Sequence, residues 1–449
     1  MAERKEIKRI LIANRGEIAL RAIRTIKEMG KEAVAVYSTG DKEARYLSLA
    51  DAAICIGSEK SAESYLNIPA IISAAELSGC DAVFPGYGFL SENQDFVEIC
   101  ERHGITFIGP SVEVMNLMAD KSKAKQVMAE AGVPTIPGSD GAVEHAEEAR
   151  ALADEMGYPV ILKAAAGGGG RGMRVVESSD RMEQAFMACE AEAIGAFGDG
   201  TLYMEKFIES PRHVEVQVMG DQHGNAIHIG ERDCSMQRRH QKLIEESPAE
   251  VLDDAHRTEL HAAAVRATEH IGYSGAGTFE FLVDKHNNFY FMEMNTRLQV
   301  EHCVSEAVSG IDIIEWMIRV AEGKALPRQE TIDLKGHAIE CRITAEDPVS
   351  FLPSPGTITR WIAPGGKDVR IDTHAFCGYT IPSHYDSMIG KLIVWAPTRE
   401  QAIAKMQRAL DEFEVEGVRT TIDFHRKMMR NPDFRSNRFD TKYLEDYQG

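Results

Sequence analysis

The chain has 449 residues, with 50 Lys and Arg against 70 Asp and Glu, a formal net charge of −20. Hydrophobic residues make up 44% and charged residues 27%, ordinary globular values that exclude wholesale disorder and fibrous repeats. So acidic a chain is a poor match for nonspecific nucleic-acid or anionic-membrane binding, but a local basic pocket for a phosphate ligand stays open.

The apolar run Ile10–Ala13 opens a short strand predicted over 9–14, and it is too short for the core of a secretory leader. Residues 17–30 follow as a helix, with Ile18, Ala22, Ile23 and Ile26 at helical spacing. A second strand is expected over 33–37, a helix over 65–79, and strands over 81–84 and 105–108. Strands separated by helical patterns imply a parallel sheet covered by helices, here ending near residue 115. Residues 116–134 read as one connecting helix that stops before Gly132-Val133-Pro134. Short strands at 159–164 and 173–176 flank a glycine cluster. Further strands are expected over 201–207, 213–219, 226–229, 278–283 and 289–295. Past about 335 the pattern changes to short strands, Pro/Gly turns and a late helix carrying Ile403, Met406, Leu410 and Phe413, which predicts a small α+β closing domain. No apolar run approaches the ~18 residues that span a bilayer. The eight cysteines form no C-x-x-C pair and read as reduced thiols, mostly in the core, so the cytosol is the expected compartment.

Three local patterns carry chemistry. The cluster Gly167-Gly168-Gly169-Gly170-Arg171-Gly172 has G-x-G-x-x-G spacing, but a dinucleotide fingerprint needs a strand before it and a helix after it. A β segment follows instead, so the cluster is expected at a hairpin tip, as a flap whose bare N–H groups fold over phosphates. Lys163 just before it would add a point charge. No G-x-x-x-x-G-K-[ST] motif is present. The second pattern is a β-hairpin over 279–295, in which Glu280 and Glu293 are expected opposite each other, with Asn295 on the same face. Two carboxylates on an otherwise apolar hairpin repel, and a divalent cation with phosphate oxygens would relieve that. The third is a pair of polar segments, Thr296 to His302 and Glu231 to Lys242. For the second of these, composition alone favours a solvated charged loop.

The order K-x-x-x-G-G-G-G-R-G-M, YMEKFI, ERDCSMQRRHQK, F-E-F…F-x-E-M-N-T-R-L-Q-V-E-H, ECRITAEDP and YDSMIGK resembles the biotin carboxylases of the ATP-grasp superfamily, from Ile10 to about residue 445. IANRGEIALR and PGYGFLSEN resemble the same family. The resemblance implies an α/β and α+β multidomain fold. A pre-ATP-grasp parallel-sheet domain would take 1–118. An ATP-grasp domain would take 119–338, with a mobile lid at about 135–205, and a C-terminal biotin carboxylase domain 339–446. ATP would bind between the lid and the central sheet. Its implied contacts are Lys121, Lys163, Gly169, Gly170, Glu205, Lys206, Ile208, His213, Gln237, His240, Glu280 and Glu293. Glu280, Glu293 and Asn295 match the family's Mg2+ or Mn2+ ligands. Lys242, Arg297, Gln299, Val300, Glu301, Arg342 and Tyr87 match the bicarbonate and biotin pocket. Glu301 would be the general base, Arg297 would stabilise the biotin enolate, and Lys242 would share the catalytic site.

The implied reaction is ATP-dependent carboxylation of biotin by bicarbonate through carboxyphosphate. That is the first half-reaction of acetyl-CoA carboxylase, which forms malonyl-CoA for fatty acid synthesis. No biotinyl Met-Lys-Met target is present, and Lys405-Met406 is the nearest match. A stand-alone subunit is therefore expected, acting on a biotin carboxyl carrier protein beside carboxyltransferase subunits, with no nucleic acid or membrane partner, and the resemblance implies a homodimer. The same half-reaction in a two-subunit pyruvate carboxylase or another acyl-CoA carboxylase is the alternative. An ATP-grasp ligase serving an amine, or a catalytically silent scaffold subunit, would keep the fold and lose the biotin step. One departure stands out: Cys303 replaces the family's usual proline after Glu301-His302. A looser loop beside the base, and sensitivity to thiol reagents, are expected from it.

Overall fold

In a computed structural model, residues 6–165 and 172–447 are described. The first five strands are Arg9–Ile12 (β1), Glu32–Ser38 (β2), Ala52–Gly57 (β3), Ala82–Phe84 (β4) and Thr106–Phe107 (β5). They pair in parallel in the order β3-β2-β1-β4-β5. A parallel sheet is covered on both faces, so its strands are continuous apolar runs rather than alternating ones. Ile10, Leu11, Ile12, Val34, Ala35 and Val36 are all fully buried. The helix Gly16–Glu28 (α1) starts directly after β1, and Gly16 takes φ +71° at the turn. Beside it, the Asn14 side-chain amide donates to the carbonyls of Pro85 and Tyr87 at 2.7 and 2.8 Å. Two motifs 70 residues apart are thereby locked together.

Two elements of this region were not among those predicted, β3 and the helix Gln94–Arg102. Residues 116–134 do not form a single helix. Val112–Ala119 ends at Asp120, and Lys121–Glu130 begins there, with the Asp120 carboxylate accepting from the Ser122 and Lys123 N–H groups at 3.1 Å. Such a cap satisfies the orphan N–H groups of a new helix start, and it leaves the apolar spacing on either side looking continuous.

The chain divides into two units. The smaller takes Pro134–Pro211 and Leu282–Met292. It holds Val160–Ala164 (β6), Met173–Val176 (β7) and Leu202–Lys206 (β8) in the order β7-β6-β8, all antiparallel. Helices Ala146–Met156 and Met182–Phe197 supply Ala149, Ala153, Phe186 and Ala193 to a core with Val160, Leu162 and Met204. The strands on either side of the glycine cluster, β6 and β7, pair antiparallel. The flap expected of Gly167 to Arg171, including Gly169 and Gly170, lies outside the described residues.

The larger unit holds Arg212–Gly220 (β9), Ala226–Arg238 (β10), Gln241–Ser247 (β11), most of Gly275–Val283 (β12), and the end of Phe289–Asn295 (β13) from Glu293 on. His337–Thr344 (β14), Arg360–Ile362 (β15), Val369–Thr373 (β16), Met388–Ala396 (β17) and Glu414–Glu416 (β18) follow. Eight of these form one sheet in the order β13-β12-β9-β10-β11-β14-β17-β16, while β15 and β18 pair as a ribbon. Of the strands past 335, β14, β17 and β16 continue the sheet begun by β9–β13. One sequence reading changes here. The charged segment 231–242 is no solvated loop: β10 runs unbroken through Glu231–Gln237, all buried, and β11 returns beside it.

The helix Arg399–Glu412 is tied to this sheet by a buried ion cluster. Glu246 on β11 accepts from His337 Nε2 at 2.9 Å and from Arg399 Nε and Nη2 at 2.7 and 2.9 Å. Burial alone would raise its carboxyl, but the His337 hydrogen bond and the Arg399 charge outweigh that and lower it from 4.5 to about 2. A depressed folded-state value means stability that is complete above the unfolded value and lost as pH falls through the folded one. Glu246→Gln is therefore expected to flatten the fall in thermal midpoint between pH 4.5 and about 2. The slope removed should correspond to roughly 3 kcal/mol. Unfolding curves recorded across that range check this.

Candidate active site

The centre of the site is built from β9, β10, β11, β12 and the segment after β13. Arg232 on β10 faces Glu215 on β9 as a register partner. Arg232 is fully buried, and each of its three nitrogens is hydrogen-bonded. Nε reaches Glu215 Oε1 at 2.6 Å, Nη1 reaches Gln217 Oε1 at 2.7 Å and Ser305 Oγ at 2.9 Å, and Nη2 reaches Thr278 Oγ1 at 3.2 Å. The other Glu215 oxygen accepts from Lys242 on β11 at 2.6 Å. Lys242 Nζ also reaches Glu280 Oε1 at 3.0 Å and Glu301 Oε1 at 2.6 Å. One ammonium thus serves three buried carboxylates. Despite burial, Glu215, Glu301 and Glu280 together hold its proton far above the usual lysine range.

Glu301 is 0% exposed and sits at the N-cap of the helix His302–Ser309. Its second oxygen accepts from Arg342 Nη2 at 3.0 Å. Burial alone would raise this carboxyl, but Lys242, Arg342 and Arg232 hold it well below the usual range. A helix N-terminus favours the same charge. Arg342 on β14 is shared, since its Nε also donates to Glu245 Oε1 at 2.6 Å. Glu245 responds differently: burial outweighs Arg342, and its carboxyl rises to about 7.

Glu280 accepts on one oxygen from Asn295 Nδ2 at 2.9 Å and Gln299 Nε2 at 3.1 Å, and His213 Nε2 lies 3.0 Å from the other. Burial would raise the Glu280 carboxyl, yet Lys242 and His213 lower it strongly. Glu293, on the neighbouring strand, is raised by burial and then by the charge of Glu280. Lys121, 4.0 Å from Glu293, and His213 only partly offset this, and carboxylate and amide oxygens are the donors hard divalent cations take. Glu280, Glu293 and Asn295 fit Mg2+ or Mn2+ on these grounds. Arg297 reaches across, with Nη2 on Asn295 Oδ1 at 2.8 Å, Nη1 on Gln299 Oε1 at 3.1 Å and Nε on Glu92 Oε2 at 2.8 Å.

Of the residues singled out from the sequence, Lys242, Glu280, Asn295, Arg297, Gln299, Glu301, Arg342 and His213 converge on this network. Gln237 joins it through His213 Nδ1 at 3.4 Å, and Lys121 lies 4.0 Å from Glu293. His240 stands at the exposed two-residue turn between β10 and β11, where Arg239 and His240 both take positive φ, 49° and 64°. Such turns ordinarily favour Gly or Asn, so this backbone is held against local preference, a condition met most often at functional sites. Lys163, Glu205, Lys206 and Ile208 lie in the smaller unit, where Lys163 pairs with Glu205 and Lys206 Nζ donates to the Gly157 carbonyl at 2.8 Å.

Four charged residues of the network escaped the sequence reading: Glu92, Glu215, Arg232 and Glu245. Glu92 and Arg232 lie in the quoted PGYGFLSEN and ERDCSMQRRHQK motifs, which could have flagged them. The others are strand residues whose partners sit on a neighbouring strand. The expectation for Cys303 is corrected. It lies within the helix His302–Ser309, not in a loop, and is fully buried, with Sγ 3.2 Å from Asp372 Oδ2. Burial pushes its thiol well above the ordinary value, and thiolate is the reactive form. Reagent sensitivity at this position does not follow.

The fold and this network define an ATP-grasp ligase. A family model for the N-terminal domain of biotin carboxylase matches residues 6–115, one for the ATP-binding domain of the carbamoyl-phosphate synthase L chain matches 120–329, and one for the biotin carboxylase C-terminal domain matches 340–446. A biotin carboxylase of Nostoc sp. is 54% identical over 440 residues, covering 98% of each chain. The crystal structure of a biotin carboxylase–β-γ-ATP complex from Campylobacter jejuni is 69% identical, with a TM-score of 0.91 over 98% of this chain and 99% of that one. The biotin carboxylase domain dimer of Hydrogenobacter thermophilus 2-oxoglutarate carboxylase, in complex with MgADP, ADP and bicarbonate, is 48% identical, with a TM-score of 0.88 over 99% of this chain and all of that one. The chain belongs to the biotin carboxylase family. No described helix is long and apolar enough to cross a membrane.

Lys242→Met is expected to leave Glu215, Glu280 and Glu301 facing one another without their shared cation. Breaking a buried charge cluster from one side costs about 3–5 kcal/mol. Chemical denaturation should register that loss, whereas the exposed Lys367→Met should fall within about 0.5 kcal/mol of wild type.

Proposed function

We propose that this chain carboxylates biotin carried on a separate protein, using bicarbonate and MgATP, as the first half-reaction of an acetyl-CoA carboxylase. The observation that supports this most is the buried carboxylate of Glu301, held between two cations, Lys242 and Arg342, with Arg297 and Gln299 on the same segment. In this reading bicarbonate binds among Lys242, Arg297, Gln299, Val300 and Arg342. An anion taking up donors from Lys242 and Arg342 weakens their hold on Glu301. Its proton affinity then rises where the bicarbonate hydroxyl must be deprotonated, which is the direction a general base needs.

A bicarbonate oxygen then attacks the γ-phosphorus, the bond to ADP breaks, and carboxyphosphate forms. Carboxyphosphate splits to CO2 and phosphate. The phosphate released takes the N1′ proton of biotin, N1′ attacks the CO2 carbon to give carboxybiotin, and Arg297 stabilises the enolate oxygen that develops on the ureido ring. Glu280, Glu293 and Asn295 would hold a divalent cation, which when bound neutralises phosphate oxygens. Lys121, Lys163, Gly169, Gly170, Glu205, Lys206, Ile208, His213, Gln237 and His240 are assigned to the nucleotide, and Tyr87 to biotin. The domain limits 1–118, 119–338 and 339–446, with a lid at about 135–205, belong to the same proposal. So do a homodimer, a cytosolic location, and carrier and carboxyltransferase partners. The similarity to a 2-oxoglutarate carboxylase domain favours one second reading, the same half-reaction serving pyruvate or another acceptor.

ADP release from MgATP, with and without bicarbonate and free biotin, tests the reading. Release that requires bicarbonate and rises strongly with biotin is expected. Turnover indifferent to biotin would leave an ATP-grasp ligase for another acceptor. Glu301→Gln keeps the shape and removes the base, and should lower biotin-dependent kcat about 10²- to 10⁴-fold.

A further inference from the structure

Among the buried charged residues outside the network described above are Lys391 on β17 and Glu17 in the first turn of α1. Lys391 is the register partner of Arg342 on β14 and of Asp372 on β16. Like charges directly opposite on one sheet face repel, so each of the two cations needs its own carboxylate. Arg342 has Glu245 and Glu301, and Lys391 has Glu17, with Nζ 3.1 Å from Oε1.

Lys391 Nζ also donates to the carbonyl of Val300 at 2.8 Å. Val300 directly precedes Glu301, so two neighbouring cations of the sheet grip consecutive residues of one segment, one by its backbone and one by its side chain. Glu17 Oε1 has a second partner, the hydroxyl of Tyr87. Burial and the charge of Glu17 push that hydroxyl well above the ordinary tyrosine range, so it remains a donor. The Tyr87 loop has little freedom elsewhere. A Cβ at Gly86, where φ is +65°, would come within 2.9 Å of Asn14 Nδ2. A continuous chain, Tyr87 hydroxyl to Glu17 to Lys391 to Val300 carbonyl, therefore joins two residues assigned to the bicarbonate and biotin pocket. Neither middle member is among the assigned site residues.

We propose that Glu17 and Lys391 are positioning residues for biotin, fixing Tyr87 and the Val300 backbone relative to each other before the ring binds. This rests on the assignment of Tyr87 and Val300 made under the proposed function. A displacement of about 1 Å in a positioning group is enough to cost up to about 10²-fold, so the pair would act on biotin affinity without touching the ring.

The test uses the full chain, with MgATP, bicarbonate and free biotin, and reads ADP release. In Lys391→Met the KM for biotin should rise about tenfold, while the KM for ATP, whose assigned contacts neither residue touches, stays within about twofold of wild type. That variant leaves Glu17 buried without its cation, which is destabilising, whereas removing both charges together is often close to neutral. The double variant Glu17→Gln with Lys391→Met is therefore expected to regain thermal stability and to keep the raised biotin KM, because the Val300 carbonyl still lacks its donor. Recovery of the KM along with stability, or a normal biotin KM in the double variant, overturns the proposal. Should the double variant fail to fold, Glu17→Gln alone decides, where a raised biotin KM supports positioning and a normal one overturns it. Tyr87→Phe separates the two levels. A raised biotin KM in Tyr87→Phe beside a normal one in the charge variants overturns positioning alone. A normal biotin KM in Tyr87→Phe, or wild-type turnover indifferent to biotin, overturns the assignment beneath it and the positioning role with it.

Discussion

Lys242 balances three carboxylates from three different parts of the chain, Glu215, Glu280 and Glu301, and everything around it follows from that imbalance. One ammonium cannot neutralise three buried anions. Arg232 takes the far side of Glu215, Arg342 the far side of Glu301, and His213 the far side of Glu280. Each of these brings further demands, met by Gln217, Thr278, Ser305, Glu245 and Gln237. Burial of charge is costly unless every ion is paired and hydrogen-bonded. The strands β9, β10, β11 and β14 are thus held in register by their polar face as well as by their apolar one.

That arrangement also carries the function proposed for it. A site meant to take up an anion must offer cations that are positioned but not irreversibly committed. Here Lys242 and Arg342 are oriented by carboxylates, so no reorganisation is needed when a substrate anion competes for their donors, the condition for electrostatic preorganisation. Glu301 is kept ionised in the free protein by the partners that a bound anion would draw away. The buried thiol of Cys303 fits the same background, because it lies against Asp372 and Arg370 and brings no new charge.

Local pattern was a good guide wherever the structure is local. The strand–helix alternation of the first 115 residues, the hairpin ending in Asn295 and the antiparallel strands around the glycine cluster all follow from periodicities of two and 3.6 residues. The pairing of Asn295 with Glu280 belongs to the same class, since both lie in one hairpin. The segment 231–242 is the opposite case. Its charges look like those of a surface loop, and nothing within it announces that Glu215, Glu301 and Arg257 will satisfy them. The break at Asp120 was hidden for a different reason, because a capping carboxylate interrupts a helix without disturbing the apolar spacing on either side.

The sequence by itself determined the class of elements, the glycine hairpin, the carboxylate hairpin and, through ordered motifs running almost the whole length, the family. Those features depend on short-range spacing and on the identity of residues within single motifs. Only the tertiary structure decided that β14, β16 and β17 extend the sheet begun by β9–β13, and that Lys391 and Glu17 join the neighbourhood of Tyr87 and Val300. Strand order in a sheet and compensation among buried charges are set by contacts between residues tens to hundreds of positions apart. A charged side chain carries no mark in the sequence of which distant partner makes its burial possible.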